Sequence, residues 1–477
     1  MNKLYVYYQK QLVGEIEYDS MENSYAFNYN EEWIKDGFEI SPSLKFNNNI
    51  SSNVIKSFIE NLLPEGEGLE ELSMIFHISK ANKFLILKHI GLDTAGALTF
   101  TTDLKYEAKT SFREISKEEL ALRVTKREEE SIQIWDGKPR LSVAGVQAKL
   151  PIVIIGDKYG LGEGDICSTH ILKFNKKNEN IILNEFISLK LSKALGFNVT
   201  NVEYKKVGEE SVLFVERFDR KIINDKLVQR EHIIDSVQAL GLPVSYKYER
   251  NMGSNLKEIR EGVSFSKLFA LANEAVTPIL FKEQIINFSM MNLILGNSDA
   301  HGKNISFYVS KKGLTVAPFY DLVNITMYNN YDNEMAMGID EEFEFSEIKE
   351  YDFREFFEEN TISLNQYFKD FKKLVKKLQV ELENFDFIEK ALFIEEQEFI
   401  KGYVDNIKHR VNKLSSVLNN IRFTLPYEDQ SDEEFIDENK AEIKRVLTKD
   451  YKDSDSNKIT ISLYLEKLKN RLIQVIP

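Results

Sequence analysis

The alternation of hydrophobic and polar positions over the first hundred residues predicts a mixed unit of strands and helices. LYVYY and LVGEIEY flank a short polar turn, which is typical of a β-hairpin. The pattern predicts one helix near Ser52–Leu63 and another in SKANKFLILKHIG that ends at Gly91. GALTF predicts a further strand after this helix, and residues 1–105 are therefore expected to form one N-terminal unit.

The pattern changes after this unit. Residues 106–137 are charged, and Ser116 and Glu119 form an S-x-x-E capping box, which predicts a connecting helix or linker. Residues 138–225 contain the strand-like runs KLPIVII, THILKF and VLFVERF. Between the last two lies LNEFISLKLSKALG, whose apolar residues recur at helical spacing up to Gly196. This region is therefore predicted to be a sheet with one inserted helix.

The C-terminal half is predicted to be mostly helical over residues 226–420. FKEQIINFSMMNLILG is apolar nearly all round, which indicates a buried helix. The loop GNSDAHGKN follows it, and ISFYVS and LTVAPF then predict a hairpin. Residues 421–477 begin with an acidic stretch and form an extension to which the sequence assigns no role.

Composition narrows the class of protein. The 477 residues include 76 acidic and 62 basic side chains, a net charge of −14, which argues against a primary nucleic-acid binder. The single cysteine, Cys167, excludes an internal disulfide and fits a reducing compartment. No run reaches the roughly 18 apolar residues of a membrane span, and the N-terminus lacks a signal-peptide pattern. We therefore expect a cytoplasmic protein.

Three polar side chains carry the strongest chemical signal. Asp299 precedes Asn304 by five residues, and Asp321 follows a predicted hairpin that would return the chain to Asn304. An amide oxygen and a carboxylate suit Mg²⁺, and a second carboxylate could accept the proton of an attacking hydroxyl, as in protein kinases. Turn formation explains each residue taken singly, but the triplet at this spacing favours phosphoryl transfer.

Three weaker motifs also favour phosphoryl transfer. RLSVAGVQAKLPIVI places a small-residue turn before a strand, where backbone N–H groups could bind phosphates, although no Walker A motif is present. Lys173 ends an apolar strand and could pair with phosphates, held by Glu185 of the next helix. VERFDR, residues 215–220, suits a hinge that binds adenine. The alternatives are a hairpin turn, a solvated lysine and an exposed strand end.

The order of these motifs resembles the HipA-type serine/threonine kinases. The motifs occur in the order S-V-A-G-V-Q-A-K, T-H-I-L-K, N-E, V-E-R-F-D-R, D-A-H-G-K-N and P-F-Y-D. In addition, FIENLLPEGEGLEEL and TAGALTF resemble the N-terminal subdomain of that family, and QALGLP followed by KYE (residues 238–249) and EMAMGI (residues 334–339) resemble its kinase core. The similarity covers residues 1–420 and leaves 421–477 without a counterpart. It implies an α+β, bilobed fold of the protein-kinase or phosphatidylinositol-kinase type, with a β-rich N-terminal subdomain and a mostly helical C-terminal lobe.

The resemblance also implies roles for individual residues. Asp299 would be the catalytic base, Asn304 and Asp321 would hold Mg²⁺, and Ser142 matches the family's autophosphorylated serine. The residues expected to bind ATP are Ala144, Gly145, Val146, Gln147, Ala148, Lys149, Lys173, Glu216, Arg217, Phe218, His301, Lys303 and Tyr320. A phosphate on Ser142 is expected to switch the kinase off, because a dianion in the phosphate pocket would repel ATP.

The biology implied by the resemblance is that of a type II toxin. Its partner would be a HipB-like helix-turn-helix antitoxin, through which any contact with DNA would be indirect, and no membrane is involved. Its protein substrate would be an aminoacyl-tRNA synthetase, in particular the glutamyl enzyme. Two alternatives remain: a HipA-like kinase with another substrate, and a pseudokinase that sequesters nucleotide or antitoxin. The intact catalytic triplet and Lys173 favour the active kinase.

Overall fold

The computed structural model describes residues 2–46, 49–140, 149–175, 179–253, 256–384 and 387–420. These residues fall into two compact units, one within Met1–Gly338 and Lys377–Lys408 and the other within Ile339–Lys376 and His409–Pro477. Within the described ranges, no helix is long and apolar enough to cross a membrane. The mixture of helices and sheets confirms the predicted α+β class.

The N-terminal domain, residues 2–101, is a four-stranded antiparallel sheet in the order β3-β2-β1-β4, flanked by helices. Its strands and helices are β1 (Asn2–Tyr8), β2 (Gln11–Asp19), β3 (Ser24–Tyr29), α1 (Glu31–Asp36), α2 (Ser52–Leu62), α3 (Gly66–Phe76), α4 (Lys83–Ile90) and β4 (Leu98–Thr101). The predicted hairpin, both predicted helices and the final strand are confirmed. The start of α2 is fixed by Ser51, whose hydroxyl accepts a 3.3 Å hydrogen bond from the Val54 amide.

A second, six-stranded antiparallel sheet has the order β11-β12-β10-β8-β9-β5. The elements of this region are β5 (Ser111–Ile115), α5 (Lys117–Thr125), β6 (Ile134–Trp135), β7 (Lys138–Pro139), β8 (Lys149–Ile155), β9 (Lys158–Glu163), β10 (His170–Phe174), α6 (Ile181–Leu195), β11 (Val202–Val207) and β12 (Glu210–Glu216). The predicted sheet with one inserted helix is confirmed. Helix α6 ends at Gly196, whose φ of 98° is a left-handed conformation that glycine adopts without a steric penalty.

The segment predicted to be a connection, residues 106–137, belongs to the core of this sheet. Strand β5 pairs with β9, and Leu120 and Val124 of α5 pack with Leu172 of β10. The hydroxyl of Ser116 caps α5, accepting from the Glu119 amide at 3.1 Å, but the Glu119 carboxylate accepts from Arg113, so only the serine half of the predicted capping box is confirmed. Because this segment is charged, the sequence did not predict its short strand β5, which is half-buried at the edge of the sheet.

The remaining elements include a three-stranded antiparallel sheet, β15-β16-β17. They are β13 (Arg220–Asn224), β14 (Leu227–Arg230), β15 (Ile233–Asp235), α7 (Ser236–Ala239), α8 (Phe265–Ala270), α9 (Pro278–Leu295), β16 (Ser306–Ser310), β17 (Gly313–Val316), β18 (Glu334–Ile339), β19 (Glu342–Glu344), α10 (Glu350–Glu359), α11 (Leu364–Asn384) and α12 (Glu396–Asn420). The buried helix α9 and the hairpin β16-β17 are as predicted, and α9 ends at a left-handed Gly296. These two elements enclose the loop that carries the predicted catalytic residues.

A buried network of charges joins the N-terminal domain to the end of strand β12. Asp219 accepts two hydrogen bonds from Arg217, at 3.0 and 2.9 Å, and a further one from Arg220. Arg220 also bonds Asp93, and the Gly96 amide donates to Asp219 at 2.9 Å, so both domains contribute to the network. Burial would raise the pKa of Asp219, but the two guanidinium groups outweigh it and lower that pKa.

Candidate active site

A cleft of about 370 Å³ lies between the six-stranded sheet and the loop that follows α9, and the N-terminal domain lines it through Asn61, Glu65 and Ala95. All the predicted site residues that the structure describes line this cleft. They are Lys149, Lys173, Glu185, Glu216, Arg217, Phe218, Asp299, His301, Lys303, Asn304, Tyr320 and Asp321. Ser142, Ala144, Gly145, Val146, Gln147 and Ala148 lie outside the described residues.

Lys173 forms the centre of a buried ion cluster. Strand β10 carries it, and its Nζ donates to both carboxylate oxygens of Glu185 on α6, at 2.8 and 2.9 Å, and to Oδ1 of Asp321. The side chains of Lys173 and Glu185 are only 9% and 3% exposed, whereas that of Asp321 is 38% exposed. The simple alternative, a solvated lysine at a strand end, is therefore wrong.

The pKa values of Lys173, Asp321 and Lys149 are set by two opposing effects, burial and the attraction between opposite charges. Burial would lower the pKa of Lys173, but the charges of Asp321 and Glu185 outweigh it and raise that pKa. Burial also opposes ionisation of Asp321, yet Lys173 and Lys149 lower its pKa. Burial lowers the pKa of Lys149, on neighbouring β8, to about 8. The floor of the cleft thus holds two cationic side chains and two carboxyl groups.

The loop after α9 is fixed by Asn297. Its amide nitrogen donates to the side-chain oxygen of Asn292 at 2.8 Å and to the carbonyl of Asp321 at 3.3 Å, and its oxygen accepts from the Asp299 amide at 3.2 Å. This one side chain therefore links the loop of Asp299 to the backbone of Asp321. Asp321 has φ of 53°, a left-handed conformation that aspartate tolerates better than most residues.

Asn304 and Asp321 form a donor set of the kind that Mg²⁺ prefers. The amide nitrogen of Asn304 donates to the carbonyl of Asp299 at 2.8 Å, which leaves the amide oxygen as the atom for a cation. With the partly exposed carboxylate of Asp321 it supplies two oxygen ligands, and Mg²⁺ commonly takes the rest of its shell from water and phosphates. Among the described residues, no cluster of three or more histidine, cysteine or acidic side chains offers a metal site.

Asp299 lies at the mouth of the cleft, with its side chain 52% exposed. The hydroxyl of Tyr248 donates to its Oδ1 at 2.6 Å, and the surrounding protein, which removes part of the water around this half-exposed carboxyl group, raises its pKa. His301 is buried beside it, and burial lowers the pKa of this histidine to about 3, so its imidazole is neutral at pH 7. A carboxylate with a raised pKa is suited to accept a proton.

The predicted hinge residues contribute in different ways. The ring of Phe218 packs on that of Tyr320, with centroids 5.5 Å apart. Glu216 at the end of β12 accepts from the Asn201 side chain at 2.8 Å. Arg217 turns its guanidinium into the buried network with Asp219, and its backbone amide donates to Thr169 at 2.9 Å. Of these three, Phe218 is the side chain that forms an aromatic wall of the cleft.

Lys303 has protein partners that the sequence did not reveal. Its Nζ donates to the carbonyl and the side-chain oxygen of Asn61, at 2.9 and 3.1 Å, and to Asp235 at 3.1 Å. The hydroxyl of Tyr320 donates to the Lys303 carbonyl at 2.6 Å. In this structure Lys303 thus ties the catalytic loop to the N-terminal domain.

Sequence reasoning missed several polar residues of the cleft, among them Asn61, Glu65, Tyr248 and Asn297. Asn297 lies within GNSDAHGKN, and Tyr248 lies within KYE. Asn61 and Glu65 lie within FIENLLPEGEGLEEL, so all four stood in segments already singled out. The resemblance assigned Asn61 and Glu65 to the N-terminal subdomain, and no local pattern shows that they reach the site.

The chain is similar to known proteins over most of its length. The model of the HipA-like C-terminal domain matches residues 141–383, and that of the HipA N-terminal domain matches residues 4–101. The chain is similar to the serine/threonine-protein kinase toxin HipA of Shewanella oneidensis, with 38% identity over 86% of this chain and 95% of the relative. A putative kinase of Sinorhizobium fredii is 30% identical over 72% of this chain and 82% of its own length.

A solved structure is also similar. It contains HipA and HipB of the Shewanella oneidensis toxin–antitoxin system with their operator DNA. The matched chain is 38% identical, the match covers 88% of this chain and 99% of that one, and the TM-score is 0.80.

Proposed function

The chain belongs to the HipA family of serine/threonine kinases, and we propose that it is a toxin that transfers the γ-phosphoryl group of ATP to a protein serine with the help of Mg²⁺. The observation that carries this proposal is the convergence of Lys173, Glu185, Asp299, Asn304 and Asp321 on one cleft. The positions of these side chains match the parts that kinases need: a phosphate-binding lysine with its glutamate, a base and two metal ligands.

Each side chain then has a distinct task. Asp299 would accept the proton of the attacking serine hydroxyl, and Lys173 would neutralise the phosphates. Asn304 and Asp321 would hold Mg²⁺, which supplies positive charge to the transferring phosphoryl group when it is bound. The neutral imidazole of His301 and the Phe218 ring would orient the nucleotide. The remaining residues proposed to contact ATP have supporting roles. Lys149 would add a second positive charge for the phosphates, and Tyr320 would support the Phe218 ring. Glu216 and Arg217 would contribute backbone groups to the hinge that binds adenine.

Nucleotide binding requires a change of partners at Lys173. Its Nζ contacts Asp321 directly, and this contact occupies the carboxylate that is proposed to bind the metal. Asp321 would have to release Lys173 in order to hold the cation, and the ammonium group of Lys173 would then be available to the phosphates. Glu185, which contacts Lys173 through both oxygens, would remain its partner during this exchange and keep the ammonium group charged.

The proposal extends to partners and regulation. The complex of the Shewanella toxin with HipB supports a HipB-like helix-turn-helix antitoxin as partner, with DNA contacted through that antitoxin. The substrate that we favour is the glutamyl-tRNA synthetase. Self-phosphorylation at Ser142, two residues before the proposed phosphate loop Ala144–Lys149, would inactivate the kinase by placing a dianion in the phosphate pocket. Ser142 itself lies outside the described residues.

The test of the substrate is phosphorylation of purified glutamyl-tRNA synthetase, with its tRNA, by the full chain in the presence of ATP and Mg²⁺. We expect a phosphoserine on the synthetase and loss of tRNA charging, and neither with Asp299→Asn. Asp225→Asn, an exposed turn residue, is the matched control and should behave as the wild type. ATP turnover without synthetase phosphorylation would indicate another substrate, whereas nucleotide binding without turnover would indicate a pseudokinase.

A further inference from the structure

A tyrosine that has no role in the proposed reaction contacts the proposed base. The hydroxyl of Tyr248 donates a 2.6 Å hydrogen bond to Oδ1 of Asp299. Its ring packs edge-on against His301, with centroids 5.1 Å apart and planes at 88°. Because the bond is made to one carboxylate oxygen, it fixes the rotation of the carboxylate and so the direction of the other oxygen.

The backbone on either side of Tyr248 is held by the core of the molecule. The carbonyl of Lys247 accepts from the Gly302 amide of the catalytic loop at 2.8 Å, and the Glu249 amide donates to the Ala336 carbonyl at 2.9 Å. The position of the tyrosine is therefore fixed relative to the loop that carries Asp299. Such double anchoring is what a side chain needs if it is to orient another group within a few tenths of an ångström.

The N-terminal domain contributes the third support. Glu65, immediately before α3, forms an ion pair with the Nζ of Lys247 at 2.8 Å, and the two side chains are 19% and 14% exposed. Burial would raise the pKa of Glu65, but Lys303 and Lys247 outweigh it and lower that pKa, so the carboxylate stays charged. The domain that does not contain the catalytic loop thus holds the residue next to Tyr248.

We propose that Tyr248 is a positioning residue for Asp299 and that Glu65 of the N-terminal domain keeps it in place through Lys247. The inference rests on the proposed function, because it assumes that Asp299 accepts a proton. Tyr248 donates to the ionised carboxylate and therefore stabilises the form that acts as a base.

The test is the division of the effect of Tyr248→Phe between kcat and KM for ATP, measured from the initial rate of ADP release by the full chain. A tyrosine that only supported the fold would change both constants or neither, whereas one that orients the base changes the rate of transfer alone. The value of kcat should fall several-fold while KM for ATP stays the same. Glu65→Gln should produce a smaller change of the same kind.

The matched control is Tyr246→Phe, two residues away. The hydroxyl of Tyr246 donates to Glu261 at 3.2 Å, so its loss should leave both kcat and KM unchanged. Thermal melting and ATP titration show whether each variant is folded. A folded Tyr248→Phe protein with the kcat of the wild type would overturn the inference. Activity of Asp299→Asn equal to that of the wild type would instead overturn the proposed function, so the two failures are distinguishable.

Discussion

Replacing Glu185 by glutamine tests whether the buried ion pair is part of the catalytic machinery. The two oxygens of Glu185 accept from Lys173 Nζ at 2.8 and 2.9 Å, and glutamine keeps one acceptor of nearly the same shape while removing the charge. A hydrogen bond to a charged group contributes about 1.5–3 kcal/mol, and a factor of ten in rate corresponds to about 1.36 kcal/mol. The expected loss in kcat/KM for ATP is therefore roughly 10- to 150-fold.

The assay is the initial rate of ADP release at several ATP concentrations, measured before phosphate accumulates on Ser142, with melting curves to show that the variant is folded. Glu70→Gln is the matched control, since Glu70 forms an ion pair with Lys80 at 2.7 Å but both side chains are more than half exposed. Exposed pairs contribute little, so this control should keep wild-type activity. A folded Glu185→Gln protein within about threefold of the wild type would refute the reasoning, because such a loss falls well below the roughly tenfold minimum expected for one charged hydrogen bond.

Three further predictions concern the same cleft. Asp299→Asn should bind ATP with wild-type affinity in a titration but transfer phosphate about 10²- to 10⁴-fold more slowly, the usual contribution of a general base; unchanged turnover would remove Asp299 from that role. Asp321→Ala should abolish Mg²⁺-dependent ADP release, and retained release would place the metal elsewhere. Since burial lowers the pKa of Lys149 to about 8, its positive charge is lost as pH rises through that value. Affinity for a non-hydrolysable ATP analogue should therefore weaken above about pH 8, and Lys149→Met should show no such dependence.

The elements that the sequence predicted best are those with strong local periodicity and a clear end. Helix α6 was predicted because its apolar residues recur at helical spacing and Gly196 ends it in a left-handed conformation. Helix α9 and the β16-β17 hairpin were predicted for similar reasons. The same hairpin brought Asn304 and Asp321 into one cleft, so the most informative functional signal depended on local structure.

The features that sequence reasoning missed depend on contacts between distant segments. Glu65 and Lys247 are 182 residues apart, and Asn61 reaches Lys303 over 242 residues, so no local pattern could pair them. Arg217 was predicted to line the nucleotide site, yet its guanidinium pairs with Asp219, a choice that only the buried surroundings determine. The short strand β5 was predicted to be part of a linker because residues 106–137 are charged. In the structure most of its side chains are exposed or half-buried, so the strand leaves only a weak hydrophobic pattern in the sequence.

The central claim is that this chain transfers phosphate from ATP through Asp299. The most direct measurement is the intact mass of the full chain, with site mapping and ADP release, before and after incubation with ATP and Mg²⁺. The account predicts ADP and one added phosphate at Ser142 in the wild-type protein, and neither in Asp299→Asn nor in Asp321→Ala. No ADP and no mass gain in the wild type, or an equal gain in the Asp299 variant, would contradict it.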